Sequence, residues 1–243
     1  MSPWTDDAAR LFNPEPRINV VPITRDQNCY VIDDMLADPE RWVEWACASA
    51  FERPGGYPYP GVVADVPQAV QQRVADHFIQ HLRRPLGARR MIDLAVRLSM
   101  VTVPPAHLEP RQWQCHRDRV TADPGILFAA SVLYLFRDPA LGGTSFYVPR
   151  HSPEATDRMI ADSQSLDART FSARYGVAPG YMAGSNGFFE QVAKVPAAWN
   201  RAIFYNGGVF HSADVDQPTL LNTDPQQGRL TLNGFFTCRR NAG

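Results

Sequence analysis

Residues 126–148 read ILFAASVLYLFRDPALGGTSFYV, in which a turn separates two apolar runs. The runs Ile126–Phe136 and Thr144–Val148 carry aromatic and β-branched residues, while Asp138, Pro139 and two glycines lie between them. This pattern predicts two strands joined by a tight connection. Further short runs of β type occur at Ala95–Val103, Arg201–Tyr205, Phe210–Ala213 and Arg229–Phe236. The chain from about Leu94 onward therefore reads as a β structure.

Two helices are predicted in the first third of the chain. Asp38-Pro39-Glu40 supplies a capping residue, a proline at the first helical position and an acid in the first turn, so a helix begins there and runs to Phe51. A second helix follows Asp65-Val66-Pro67 and ends near Pro85. Its apolar residues recur every four positions, at Val70, Val74, Phe78 and Leu82.

Helices first and strands afterwards predict an α+β fold, or a β-sandwich with a helical buttress on one sheet. We expect a single structural unit in which residues 1–94 form a flank packed on a core of residues 95–240. A helix at Pro153–Asp162 interrupts the strands, inside a long insert at 150–194. Long loops in compact domains are often functional lids.

Composition excludes several classes of protein. The chain has 243 residues, 44% of them apolar, and a net charge of −1, so no overall field attracts nucleic acid or an anionic membrane. Its four cysteines lie apart, without the spacing of a disulfide framework or zinc site. The segment MSPWTDDAARLF is no signal peptide, and no stretch has the ~20 apolar residues of a membrane span. We expect a cytoplasmic protein.

The words Cys115-His116-Arg117-Asp118 and Phe210-His211-Ser212 indicate a metal site. In an extended segment, residues i and i+2 point the same way, so His116 and Asp118 project together. With a distant imidazole they form a two-histidine, one-carboxylate set, which leaves coordination positions open as non-haem Fe(II) requires. Cys115 points away from such an ion.

A histidine and an aspartate at this spacing also occur by chance, and the alternative is an exposed turn with an ion pair. The third ligand must come from His151 or His211. His211 follows an apolar strand and a turn, whereas His151 lies in a loop between Pro149 and Pro153. His211 is therefore the better candidate.

Several short sequence motifs, in their order along the chain, resemble those of the Fe(II)/2-oxoglutarate-dependent dioxygenases, particularly the prolyl-hydroxylase-like branch. The resemblance covers roughly Val96 to Phe236. It implies a double-stranded β-helix (jelly-roll) core, with His116, Asp118 and His211 as metal ligands. The motifs on which this resemblance depends are His116-x-Asp118, Ser131–Leu135, Gly142–Phe146, Val195-Pro196, Arg201–Phe204 and Phe210–Ala213.

The resemblance also implies a site for 2-oxoglutarate, whose distal carboxylate needs a cation in a dry pocket. Arg229 fits, because its planar guanidinium binds a carboxylate through two hydrogen bonds. Period two places Arg229, Thr231 and Asn233 on one face of a strand, and Arg-x-Thr resembles the cosubstrate motif of the superfamily. At this position the chain differs from the prolyl-hydroxylase-like branch. Members of that branch more often have a lysine here, at a shorter interval from the second histidine.

Other residues have two interpretations each. Tyr134 either hydrogen-bonds the cosubstrate or is a core tyrosine. Trp113 and Gln114, which precede the metal motif, contact substrate or simply pack, and Asn233 is a further substrate candidate. His77 and His81 have a spacing that can bind zinc, but a polar stripe on a helix explains them better.

The resemblance implies an oxygenase that binds Fe(II), uses 2-oxoglutarate and O2, with ascorbate as a possible reductant, and hydroxylates an amino acid, peptide or small natural product. A cupin-like metalloenzyme that does not use 2-oxoglutarate is one alternative. A non-catalytic jelly-roll that binds sugar or peptide is another. Sequence does not identify the substrate or the oligomeric state.

Overall fold

The structure, a computed structural model, describes residues 11–56, 58–119 and 121–241. Strands and helices alternate in a mixed α/β chain. The elements are β1 (Ile18–Thr24), β2 (Gln27–Ile32), α1 (Pro39–Cys47), β3 (Gly61–Asp65), α2 (Gln68–His77), β4 (Ala88–Val101), β5 (Ile126–Tyr134), β6 (Thr144–Pro149), α3 (Pro153–Ser165), α4 (Ala168–Tyr175), β7 (Phe189–Val195), β8 (Ala202–Asn206), β9 (Phe210–Ala213) and β10 (Arg229–Arg240). None of the helices in these described ranges has the length and apolar character needed to cross a membrane.

The strands form two antiparallel sheets. The major sheet has seven strands in the order β1-β2-β8-β5-β10-β4-β3, and the minor sheet has three in the order β7-β6-β9. A single bridge between His116 and His211 extends the minor sheet beyond β9. The segment that carries the early histidine is thereby joined to the strand that carries the late one.

One face of the major sheet packs against the minor sheet. The rings of Phe146 on β6 and Tyr205 on β8 meet edge to face with centroids 5.0 Å apart. The hydroxyls of Tyr134 on β5 and Thr144 on β6 share a hydrogen bond of 2.8 Å. Aromatic and hydroxyl contacts of this kind fix how the two layers sit on each other. We call the side of the major sheet that they mark the inner face.

The opposite, outer face of the major sheet shares its hydrophobic cluster with α1 and α2. Trp42 and Ala46 of α1 and Val70 and Val74 of α2 are buried there. Asp38 accepts a hydrogen bond of 3.1 Å from the Arg41 N–H, as a capping residue should.

Helix α1 ends at Cys47 rather than at Phe51. The Ala48 and Ser49 N–H groups donate to carbonyls three residues back, which tightens the last turn. The second helix runs over the predicted residues, and its last turn, Phe78–Leu82, is a π-helix.

The expectation that helices come first and strands afterwards was too simple. Strands β1, β2 and β3 lie in the first third, and all three belong to the major sheet. They were missed because β1 is mostly exposed and contains Pro22, so its pattern is weak. Strand β4 runs across the junction expected between residues 94 and 95.

The insert at 150–194 contains two helices instead of the one predicted, and its last residues belong to β7. Asp167 caps α4 by accepting from the Arg169 and Thr170 N–H groups, and Gly176 ends it with a φ of 64°. Met159 of α3 and Phe171 of α4 are buried in one cluster with Tyr147 and Phe210 of the minor sheet. These helices therefore cover the outer face of the minor sheet.

Candidate metal centre

Three ligand-type side chains converge where β9 meets the segment before β5. His116 and His211 exchange two backbone hydrogen bonds of 2.9 Å, each N–H donating to the carbonyl of the other. The Asp118 N–H donates to the Gly207 carbonyl, also at 2.9 Å. These bonds hold the early pair beside the late histidine. The structure thus brings together the three residues expected from the sequence.

The spacing of the three side chains fits a shared cation better than direct hydrogen bonds. One ligand atom from each residue lies within 4.8 Å of the other two. Asp118 Oδ1 is 3.7 Å from His116 Nε2 and 3.5 Å from His211 Nε2. Both distances exceed a normal hydrogen bond. A cation bound between the three side chains would give each of them a closer partner than they offer one another.

The His211 ring is oriented by its own turn. Its Nδ1 lies 2.8 Å from the Val209 carbonyl, and because a carbonyl only accepts, Nδ1 carries the proton. Nε2 then keeps a lone pair, directed toward Asp118. Histidines that bind metals are commonly oriented by such a bond from the other ring nitrogen.

The electrostatics of the group favour an ionised carboxylate. Burial raises the pKa of Asp118, but the neighbouring His211 and His116 outweigh burial and hold that pKa well below its usual range. Burial would lower the pKa of His211, and Asp118 reverses this, so the pKa is raised. For His116, burial of the site and the charge of His211 lower the pKa. The side chain of His116 is 57% exposed, so one side of the group is open.

Two further features fit a metal ion at this position. Asp118 Oδ2 is buried and has no hydrogen-bond partner among the described residues, a costly arrangement unless a ligand completes it. Gly207 leaves room for that oxygen, since a Cβ at position 207 would lie 2.7 Å from it. Nitrogen and oxygen donors without thiolate suit a borderline divalent ion.

The expected cosubstrate residues line the inner face. Arg229 is 3% exposed, and its guanidinium donates to the carbonyls of Leu141 at 3.1 Å, Gly142 at 3.2 Å and Gly143 at 2.7 Å. Within the described chain, no carboxylate lies at ion-pair distance from it. Arg229 is thus a buried, positioned cation without a counter-ion among these residues.

The glycine pair at 142–143 allows this arrangement. Gly142 has a φ of 83°, and a Cβ there would lie 1.7 Å from the Asp214 carbonyl oxygen. A Cβ at Gly143 would lie 2.0 Å from the Val195 carbonyl oxygen. Side chains are excluded at both positions, so the backbone can approach its neighbours and present carbonyls to Arg229.

Thr231 and Tyr134 face each other across β10 and β5, next to Arg229 along the strand. The Thr231 hydroxyl donates to the Ser99 carbonyl at 3.3 Å. Burial raises the pKa of Tyr134 although Arg229 opposes the shift, so its hydroxyl stays protonated. Both side chains are buried and have hydroxyls that can contact a ligand beside Arg229.

The three expected substrate residues separate in the structure. Trp113 is 3% exposed, lies in the cluster beneath α3 and α4, and donates its indole N–H to the Leu108 carbonyl at 3.0 Å. Trp113 takes part in packing through these interactions, and its role as a substrate contact stays a prediction. Trp113 and Cys115 both lie in this cluster, so Gln114 faces the opposite side, with His116. The side-chain oxygens of Gln114 and Asn233 are buried and have no hydrogen-bond partner among the described residues.

Comparison with protein families gives one match, which covers residues 14–236. The matched model is described as "Family of unknown function (DUF6445)". This chain belongs to that family. A search of the curated proteins found no significant match to the DUF6445 chain.

Among solved structures, the DUF6445 chain is similar to several Fe(II)/2-oxoglutarate oxygenases. A prolyl-4-hydroxylase from Pseudomonas putida matches with 17% identity and a TM-score of 0.40, over 97% of this chain and 95% of that one. The carbocyclase SnoK from nogalamycin biosynthesis matches with 15% identity and a TM-score of 0.47, over 88% and 81%. HygX from Streptomyces hygroscopicus, solved with nickel and 2-oxoglutarate, matches with 12% identity and a TM-score of 0.45, over 87% and 82%.

Sequence reasoning missed Tyr205 in this DUF6445 chain. Its ring centroid is 4.7 Å from that of His211, and burial, followed by the charge of Asp118, raises its pKa. Arg229 acts on the same hydroxyl in the opposite direction, so the pKa of Tyr205 responds both to the carboxylate of the triad and to the buried cation. Its place in an apolar strand, Ala202–Tyr205, made it look like an ordinary core residue.

The second pair of histidines is His77, the last residue of α2, and His81 in the π-helical turn that follows. The His77 and His81 rings lie 4.7 Å apart, and His77 also packs against Phe12. Over the described residues, the triad is the one group of histidine, cysteine and acidic side chains with ligand geometry. The interpretation of this pair as a polar stripe on a helix stays a prediction.

Proposed function

We propose that this chain is a non-haem Fe(II)/2-oxoglutarate-dependent oxygenase that hydroxylates an amino acid, a peptide or a small natural product. The observation that carries the proposal is the placement of two imidazoles and one carboxylate on the same interior as a buried guanidinium that has no counter-ion among the described residues. Each part alone has other uses. Together they match the needs of a metal ion and a dicarboxylate.

His116, Asp118 and His211 would hold the metal. Two nitrogen donors and one oxygen donor leave adjacent positions open for a bidentate ligand and O2. When bound, Fe(II) supplies the centre at which 2-oxoglutarate and O2 react to oxidise a C–H bond. In the overall reaction, 2-oxoglutarate loses CO2 and becomes succinate, and one oxygen atom enters the substrate.

Arg229 would bind the distal carboxylate of 2-oxoglutarate. Its burial excludes water, and the carbonyls of the 141–143 turn hold its guanidinium in place before a ligand arrives. A preorganised fork binds a carboxylate strongly, and burial makes the pairing necessary for both charges. Thr231 and Tyr134 would add hydroxyl contacts to the same ligand.

Gln114 and Asn233 would bind substrate. Each carries a buried amide whose oxygen has no partner within the described residues. Gln114 is two residues before His116, and Asn233 shares the inner face with Arg229 and Thr231. N–H or O–H groups of the substrate would donate to these two amide oxygens, one to each.

The winding of the chain supports a double-stranded β-helix. From β4 onward the chain crosses repeatedly between the two sheets. Strands β4, β5, β8 and β10 lie in the major sheet, and the segments that come between them, namely the His116 segment, β6 with β7, and β9, lie in the minor sheet. This alternation brings distant metal ligands together at one end of the interior. Residues 1–94 would serve as a flank with a helical buttress for the core at 95–240. A cytoplasmic location remains a prediction.

Succinate formation tests the proposal. Purified protein is incubated with 2-oxoglutarate, Fe(II) and ascorbate, and succinate is measured; uncoupled turnover needs no substrate. We expect His116→Ala, Asp118→Ala and His211→Ala to abolish succinate formation. His151→Ala serves as the matched control, since this exposed histidine bonds the Gly187 carbonyl away from the triad.

Two outcomes would contradict the proposal. Turnover that survives in the triad variants would show that the metal is held elsewhere. A wild-type protein that binds Fe(II) at the triad but never forms succinate would favour a cupin-like metalloenzyme that does not use 2-oxoglutarate.

A further inference from the structure

We infer that the Ser99 hydroxyl donates a hydrogen bond to the carboxylate that Arg229 binds, the distal carboxylate of the cosubstrate. Ser99 is then a further binding residue, supplied by β4 rather than by the strand of Arg229. This inference rests on the proposed function and adds an uncharged donor to its cosubstrate site.

Ser99 lies on the inner face of the major sheet, next to the cosubstrate residues already described. It pairs with Thr231 across β4 and β10, and the next pair along these strands is Val101 with Arg229. Side chains directly opposite in an antiparallel pair share a face, with Cβ atoms ~5 Å apart, and diagonal neighbours lie ~7–8 Å apart. Ser99, Thr231 and Arg229 therefore border one stretch of the interior.

The hydroxyl of Ser99 is buried and unpaired. The residue is 0% exposed, and its Oγ has no hydrogen-bond partner among the described residues. On the side away from Thr231 its cross-strand neighbour is Val63 of β3, whose side chain has no polar atom to offer. Burying a hydroxyl without a partner destabilises a folded chain, so a native protein that keeps one has a reason to do so.

A carboxylate needs more donors than the guanidinium fork alone supplies, because its two oxygens offer about four acceptor sites. Arg229 already directs its Nε and Nη2 groups to carbonyls of the 141–143 turn. The Thr231 hydroxyl directs its hydrogen to the Ser99 carbonyl at 3.3 Å. Ser99 can therefore donate to the ligand without breaking a hydrogen bond that the described chain makes.

An unpaired hydroxyl that waits for a ligand has a distinctive thermodynamic signature. Its removal relieves the cost of burying a lone polar group, so Ser99→Ala without ligand should melt at or above the wild-type temperature. The same change removes a hydrogen bond to a charged group from the complex, so the ligand should bind more weakly. A serine that only supports the fold would lower the melting temperature instead.

Binding is measured by calorimetry on the full chain with Mn(II), which needs no turnover, and the probes are 2-oxoglutarate and succinate. Melting temperatures are measured on the same proteins without ligand. We expect Ser99→Ala to bind 2-oxoglutarate at least about tenfold more weakly than wild type. Ser99→Cys, whose thiol is a weaker donor, should fall between the two. If Ser99→Ala does not fold, Ser99→Cys decides.

The matched control is Ser131→Ala. Ser131 is also a buried serine of the major sheet, but it pairs with Phe204, which belongs to the cluster on the outer face. Its removal should leave the affinity for both probes at the wild-type value.

Three results would overturn the inference. One is equal affinity of wild type and Ser99→Ala for every probe that binds. Another is an equal loss of affinity in Ser131→Ala. The last is a loss in Ser99→Ala that comes with a lower melting temperature of the ligand-free protein.

Failure of the inference and failure of the proposed function give different results. Protein that binds 2-oxoglutarate equally well with and without the Ser99 hydroxyl refutes the inference alone. Protein that binds succinate through Ser99 but does not bind 2-oxoglutarate refutes the proposed function alone. Protein that binds neither probe refutes both.

Discussion

Replacing Gly207 by alanine should weaken metal binding without unfolding the protein. A Cβ at position 207 would lie 2.7 Å from Asp118 Oδ2 and 3.3 Å from the Asp118 Cβ. Reaching an ordinary contact of 3.4 Å requires the carboxylate to move by about 0.7 Å. Metal–ligand distances tolerate changes of only about 0.2 Å.

The expected loss follows from that displacement. Changes to groups that orient a metal ligand typically cost about 10–100-fold in metal affinity, or roughly 1.4–2.7 kcal/mol. Gly207 is not among the glycines with positive φ, so alanine brings no backbone strain there. The clash falls on a side chain that can rotate, and the fold should therefore persist.

The measurement is a titration of metal-free protein with Mn(II) by calorimetry, together with a thermal melt. Gly208→Ala is the matched control. Its Cβ would lie 3.1 Å from Asn206 Oδ1, the end of a flexible side chain outside the triad, and its φ is not positive either. Wild-type affinity in Gly207→Ala, or an equal loss in Gly208→Ala, would refute the argument that Gly207 makes room for Asp118.

Two other predictions concern Arg229 and His77. Arg229→Lys should raise the 2-oxoglutarate concentration for half-maximal succinate formation at least about tenfold, because lysine lacks the planar fork. The control is Arg239→Lys, at an exposed position on the same strand. If Arg229→Lys leaves the required 2-oxoglutarate concentration unchanged, another cation binds the cosubstrate. Burial lowers the pKa of His77 to about 4, so between that value and its unfolded pKa of ~6.5 the unfolded chain binds more protons and stability falls as pH falls. The loss in the free energy of unfolding, up to about 3 kcal/mol, is measured by urea unfolding from pH 7 to pH 4. It should be smaller in His77→Phe than in the wild-type protein and the same as wild type in His107→Asn. Equal pH slopes in all three proteins would contradict this prediction.

Local patterns predicted much of this protein because they depend only on neighbouring residues. The spacing of His116 and Asp118 determines that both project to one side, wherever the segment lies. Alternation along β10 likewise places Arg229, Thr231 and Asn233 on one face and Leu230 on the other. The capping residue, proline and acid at 38–40 were sufficient to place the start of α1. These features needed no knowledge of the fold.

Other features depended on which segments meet, and no local pattern determines that. The tertiary structure alone pairs the backbone of His116 with that of His211, brings Gly207 against Asp118 and places Tyr205 beside the triad. It also places Trp113 in the cluster beneath α3 and α4, because a large apolar ring is most stable where two layers exclude water.

The strands of the first third, whose sequence pattern is weak, also depend on which segments meet in the folded chain. Strands β1 and β3 are stabilised by hydrogen bonds to β2 and β4, at the edges of a sheet that forms from residues distant in the chain. Sequence by itself determined the ligand types, their directions along each segment and the polar face of β10. Only the tertiary structure decided which of them share one interior, since non-local pairing depends on contacts that the chain makes after it has folded.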